Sequence, residues 1–219
     1  MKTLKGIFIL CLTVLMLLSL ISCNKDTDRE YDEGEVKAAA QALIEASKLL
    51  NDIYYGEGIP VVESAQSVTQ GTYKEADSAY LAENGIVNLR SLKNMTAKVF
   101  SSAVCEQIYS TVLESVRDDG EVKSYVRYFE KTTSAGMFIM VDTKAVVYYT
   151  GAREYLYDTL TVVGAEGERV IVTLTVRVED EDGIFHEMPL SVALIEEENC
   201  WRLDGPTYLK YSEYTEQLK

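Results

Sequence analysis

The chain has 219 residues and carries 35 Asp and Glu against 21 Lys and Arg, a formal net charge of −14. Phosphate backbones and anionic bilayers repel such a surface, which argues against nucleic-acid binding and against flat adsorption to a membrane. A basic protein partner or a neutral ligand fits the charge, and so does a plain need for solubility. Fifteen tyrosines stand against five phenylalanines and one tryptophan. Tyrosine suits half-open pockets and interfaces, because it packs a ring and keeps a wet hydroxyl, but it is also an ordinary strand residue.

Lys2 and Lys5 make a short basic start, and Gly6 to Ile21 is apolar apart from Thr13 and Ser19. That run would make roughly 24 Å of helix, short of a roughly 30 Å hydrocarbon core. It therefore reads as a secretory signal over residues 1–22 rather than a spanning helix. The run ends in Leu20-Ile21-Ser22-Cys23, which resembles the bacterial lipobox. The resemblance implies a diacylglyceryl thioether on Cys23, cleavage before it, and acylation of the new amine. A thiolate is a soft enough nucleophile for that alkylation, and two or more acyl chains hold a protein firmly to a membrane. The alternative is an uncleaved anchor in which Cys23 is incidental. Both place the rest of the chain outside the cytoplasm, on the inner or the outer membrane. Loss of Lys2 and Lys5 with the leader takes the net charge from −14 to −16.

Residues 23–35 are charged and lack apolar periodicity, the pattern of a flexible tether. From Val36 to Tyr54 the spacing is helical, with Val36, Ala40, Leu43, Ser47, Leu50 and Tyr54 on one face. Gly56, Gly58 and Pro60 break it. Residues 61–85 are mixed. Leu89, Leu92, Met95 and Val99 predict a helix over about 88–100. A further helix follows, with Ser102 as its cap and Val104, Ile108 and Val112 along one side, and "RDDGE" closes it. The period then changes. Short strands are expected at Tyr125–Lys131, Met137–Val141 and "AVVYYT". Three long ones follow at roughly 153–163, 168–179 and 184–197, where Val170, Val172, Leu174, Val176 and Val178 alternate with polar residues. "GAEGE" and "EDEDGI" are the turns between them, and "CWRLD" is a last short strand. Helices followed by an antiparallel meander make an α+β domain over 36–210, with a tail at 211–219.

That order resembles the nuclear-transport-factor-2-like, or cystatin-like, cone, in which N-terminal helices pack on a bent antiparallel sheet. The closing "ENCWRLD", Glu198 to Asp204, is similar to the last hairpin of that class. Within the class, Tyr54 and Tyr55, the following "GEG", "YLAENGIVNLRSL" from Tyr80, and Phe100 resemble the bacterial cell-wall D,L-endopeptidase inhibitors (IseA-type). That resemblance implies an exported protein that binds and blocks a peptidoglycan hydrolase. The strand-rich "VEDEDGIFHEM" departs from the pattern.

No motif fixes a reaction, and no catalytic residue, metal site or cofactor is assigned. Nucleophilic catalysis needs a base beside its nucleophile, and the one histidine, His186, starts a strand. It reads as structural, although it is in phase with Met188 and Leu190. "EDEDG" lacks the ligand spacing of a calcium loop and reads as a solvated turn. Cys105 and Cys200 would make a bridge worth ~4–5 kcal/mol in an oxidising compartment, or else stay as two buried thiols. Tyr148, Tyr149, Tyr155 and Tyr157 crowd one region of strands and are the candidate ligand or partner face. Three functions are carried forward: a lipid-anchored binder that restrains a basic envelope hydrolase, a small-molecule binder, and a cone-fold enzyme.

Overall fold

The computed structural model describes residues 31–64, 69–113, 117–118, 121–122, 126–145, 147, 152–180 and 182–207. The leader, Cys23, most of the tether and the tail lie outside these, as do Tyr148 and Tyr149. The compact unit from Asp32 onward carries every described helix and strand. No described helix is long and apolar enough to cross a membrane.

Helix α1 spans Glu33–Tyr55. It begins within the predicted tether because the Asp32 carboxylate accepts from Glu35 N, and Glu33 and Glu35 lie in a first turn that favours acids. Its buried stripe runs through Val36, Ala40, Ile44, Ser47, Leu50, Ile53 and Tyr54. Ile44 takes the place expected for Leu43, which is only half-buried. Strands β1 (Thr69–Gln70) and β2 (Tyr73–Glu75) follow, then helices α2 (Ser78–Glu83), α3 (Leu89–Val99) and α4 (Ser102–Val112). Asn88 and Ser91 cap α3 reciprocally. Ser101, not Ser102, caps α4, because only the residue three before Val104 can accept from its N–H.

Strands β3 (Arg117–Asp118) and β4 (Glu121–Val122) pair with each other, where only a helix end was expected. Strands β5 (Tyr128–Thr133) and β6 (Gly136–Asp142) join β1 and β2 in an antiparallel sheet ordered β1-β2-β6-β5. Strands β7 (Arg153–Glu166), β8 (Arg169–Glu179), β9 (Phe185–Glu197) and β10 (Cys200–Leu203) form the second sheet, ordered β10-β9-β8-β7. The molecule is α+β, with helices packed on a bent antiparallel sheet. The single meander expected from the sequence is divided between two main sheets.

The second sheet curls because α1 touches both of its edge strands, β7 and β10. Its inner face is set by strict alternation. Val170, Val172, Leu174 and Val176 of β8 lie opposite Leu194, Val192, Leu190 and Met188 of β9, all buried. Each such side chain contributes about 1.5–3 kcal/mol on burial. β7 follows the curve by a large bulge, in which residues 157–160 stand opposite Leu174 alone. The Thr159 hydroxyl fills the gap in the ladder, accepting from Thr175 N at 2.8 Å and donating to Leu156 O at 2.7 Å.

The first sheet docks on the C-terminal end of α1. Arg127, 8% exposed, donates to the carbonyls of Tyr54 and Gly56, and Tyr128 donates to Ile53 O. These bonds satisfy carbonyls that the helix end leaves open. The "GEG" break has its reason here: Gly58 sits at φ +83, and a Cβ there would collide with the Arg127 guanidinium.

Candidate binding face

The β8–β9 turn is built around one carboxylate. Asp180 Oδ1 accepts from Asp182 N at 3.0 Å and from Ile184 N at 2.9 Å. Asp180 Oδ2 lies 2.6 Å from His186 Nε2, and the backbone closes the turn through Asp180 N to Ile184 O. Gly183 supplies the positive φ of +78 that the turn requires. His186, and then the Ile184 N–H, hold the Asp180 carboxyl below its ordinary value. At the tip, Ile184 is 56% exposed and Phe185 is 49% exposed. Glu179 and Asp182 are on the same turn, while Glu154 and Glu187 flank Arg177 across three strands. The start of β7 is tied to this end by Ala152 N to the Glu179 carboxylate and Glu179 N to Ala152 O. The expected solvated turn is therefore present, with two large apolar side chains held outward at its tip. His186 serves that turn.

The second cluster lies on the inner face, where β7 meets α1. Tyr155 and Tyr157 are stacked, with ring centroids 6.2 Å apart and planes 12° apart. Lys48 of α1 lies over both, 5.1 Å and 5.9 Å from the centroids, and is paired with Glu45 at 2.7 Å. Burial first, and then the nearby Glu45 carboxylate, push the Tyr157 ionisation well up. The hydroxyl itself is buried beside the Glu45 carboxylate. Tyr155 donates to Thr207 O, and the Thr207 hydroxyl bonds Ser47 and Asn51 of α1. Of the four tyrosines singled out in the sequence, Tyr155 and Tyr157 lie together here, and Tyr148 and Tyr149 fall outside the described residues. Sequence reasoning missed Lys48 and Glu45, which cover Tyr155 and Tyr157, because a helix–strand contact leaves no trace in local spacing. It missed Ile184 and Phe185 as well; the signal that could have marked them is two adjacent large apolar residues directly after an acidic turn.

Cys105 and Cys200 are free thiols, so the bridge is not formed. Cys105 is 5% exposed and turned into the core from α4, with its thiol toward Phe100 O, whereas Cys200 is exposed on β10. Burial raises the Cys105 pKa. Among the described residues, no three His, Cys, Asp or Glu side chains gather as a metal site would need.

The chain gives no significant match to any family model, and none to any curated protein. The site's own geometry therefore carries the functional argument.

Proposed function

We propose that this chain is a lipid-anchored, extracytoplasmic binding domain that restrains a cell-envelope hydrolase. Cys23 is its attachment point and the β8–β9 turn its contact with the partner. The observation that carries the reading is the turn itself. Ile184 and Phe185 are presented to solvent by a hydrogen-bonded frame on a turn that also carries Glu179, Asp180 and Asp182. A pre-formed loop loses little freedom on binding, an exposed aromatic–aliphatic pair can anchor in a pocket, and acids around it steer a basic rim into register. The resemblance to the D,L-endopeptidase inhibitors, carried by Tyr54, Tyr55, the Tyr80 segment and Phe100, supports the choice of partner, while the turn itself lies in the segment that departs from them.

The test uses purified residues 24–219 and a D,L-endopeptidase acting on cell-wall peptide. Inhibition is expected at low ionic strength, and it weakens as salt rises because the steering charges are screened. Replacing Ile184 and Phe185 with serine is expected to lower affinity at least tenfold, since a buried anchor is worth about 2 kcal/mol or more. Absence of any inhibition at low salt removes the reading. A second reading is favoured by the Lys48–Tyr155–Tyr157 cluster: uptake of a small molecule beside α1. Thermal stabilisation by a metabolite, lost in Tyr157→Ala, would support it.

A further inference from the structure

We infer that Asp180 and His186 form a proton-assisted latch that sets how firmly the β8–β9 turn presents Ile184 and Phe185. The inference rests on the reading of that turn as the contact surface and names its control. The two arms of the Asp180 carboxylate do different work. Oδ1 is spent on the turn's own amides, those of Asp182 and Ile184, while Oδ2 is spent on the imidazole. Whatever strengthens the Oδ2 arm fixes the carboxylate and, through Oδ1, the loop that carries the apolar tip.

With a neutral imidazole, the Oδ2 arm is an ordinary hydrogen bond to an anion. Protonating the ring adds a full charge to the donor, and bonds between two ions are shorter and stronger. Glu179 and Asp182 lie on the turn, and Glu187 lies next to His186 on β9. Glu187 and Glu154 engage Arg177 on the other face of the sheet, and Arg153 of β7 lies in the same row as His186, one strand beyond Val178. The register partner of His186 on β8 is Val178. The lower limit follows from the acid. The folded carboxyl of Asp180 is depressed, so its hold is complete above the ordinary carboxylate value and is lost only as pH falls through the lowered one. Between that limit and deprotonation of the imidazole both partners are charged and the latch is tightest. Asp180 and His186 are thus positioning residues; the contact itself belongs to Ile184 and Phe185.

The test is a pH titration of residues 24–219 followed by nuclear magnetic resonance. The chain has one histidine, so the imidazole signal is unambiguous. The amides of Asp182 and Ile184 are expected to shift with the same midpoint as that imidazole, and the Ile184 amide to exchange more slowly below it after correction for intrinsic exchange. In His186→Gln, which keeps a donor but cannot be protonated, the midpoint is expected to vanish from both amides. Amides that ignore the imidazole midpoint, or that keep it in His186→Gln, overturn the latch. Hydrolase binding is measured on the same samples. A latch that titrates as expected in a protein that binds no hydrolase overturns the partner reading alone.

Discussion

Cys105 and Cys200 show how one residue type divides its roles by position. Cys105 is enclosed by α4 and the chain before it, with its pKa raised by burial, so little of it is thiolate at neutral pH. Cys200 stands in the open on a short edge strand. A maleimide added to native residues 24–219 is expected to label Cys200 within minutes and Cys105 only after denaturant is added, as read by mass spectrometry of the peptides. Rapid labelling of both would mean that α4 opens readily. Gly58 makes a similar point about the backbone. Its φ of +83 and the guanidinium of Arg127 above it leave no room for a methyl group. Gly58→Ala is expected to cost about 1–3 kcal/mol, visible as a lower urea midpoint at unchanged slope.

At the scale of elements, β9 is longer than its outer neighbour. Strand β10 pairs only with Leu194–Glu197, so the outer edge of β9 from Phe185 to Ser191 has no strand against it among the described residues. The bond from Asp204 N to Ala193 O shows that odd-numbered residues point their backbone groups outward there. Pro189 falls on that parity and removes an N–H from the open edge, and exposed Glu187 adds a charge. Both are ordinary protections of an edge strand. Pro189→Thr restores the donor and is expected to promote self-association, read as concentration-dependent sedimentation. A strictly monomeric variant would mean that something else guards the edge.

Strands β8 and β9 were legible because one face is buried and the other wet, which prints a two-residue period directly on the sequence. The first sheet was legible only in part: β5 and β6 fall where short strands were expected at Tyr125–Lys131 and Met137–Val141. Two of its strands, β1 and β2, are only two and three residues long, too short for any period to register. The shift from Leu43 to Ile44 on α1 has a related cause. Both residues are apolar and adjacent, so helical spacing alone does not decide which one is buried. The candidate face divides in the same way. Tyr155 and Tyr157 sit two apart on one strand and could be paired by eye, whereas Lys48 reaches them from a helix more than a hundred residues earlier.

For the whole molecule, closure depends on contacts between distant parts of the chain. Helix α1 meets β7 and β10, and the first sheet is fastened to α1 through Arg127 and Tyr128. Thr207, near the far end of the described chain, is bolted to Ser47 and Asn51 near its beginning. A polypeptide emerging from a ribosome or threading a translocation channel delivers α1 early and Thr207 late. The core can gather locally before then, but it cannot be finished. Closure of the fold therefore waits on the delivery of Thr207, whatever route the chain takes.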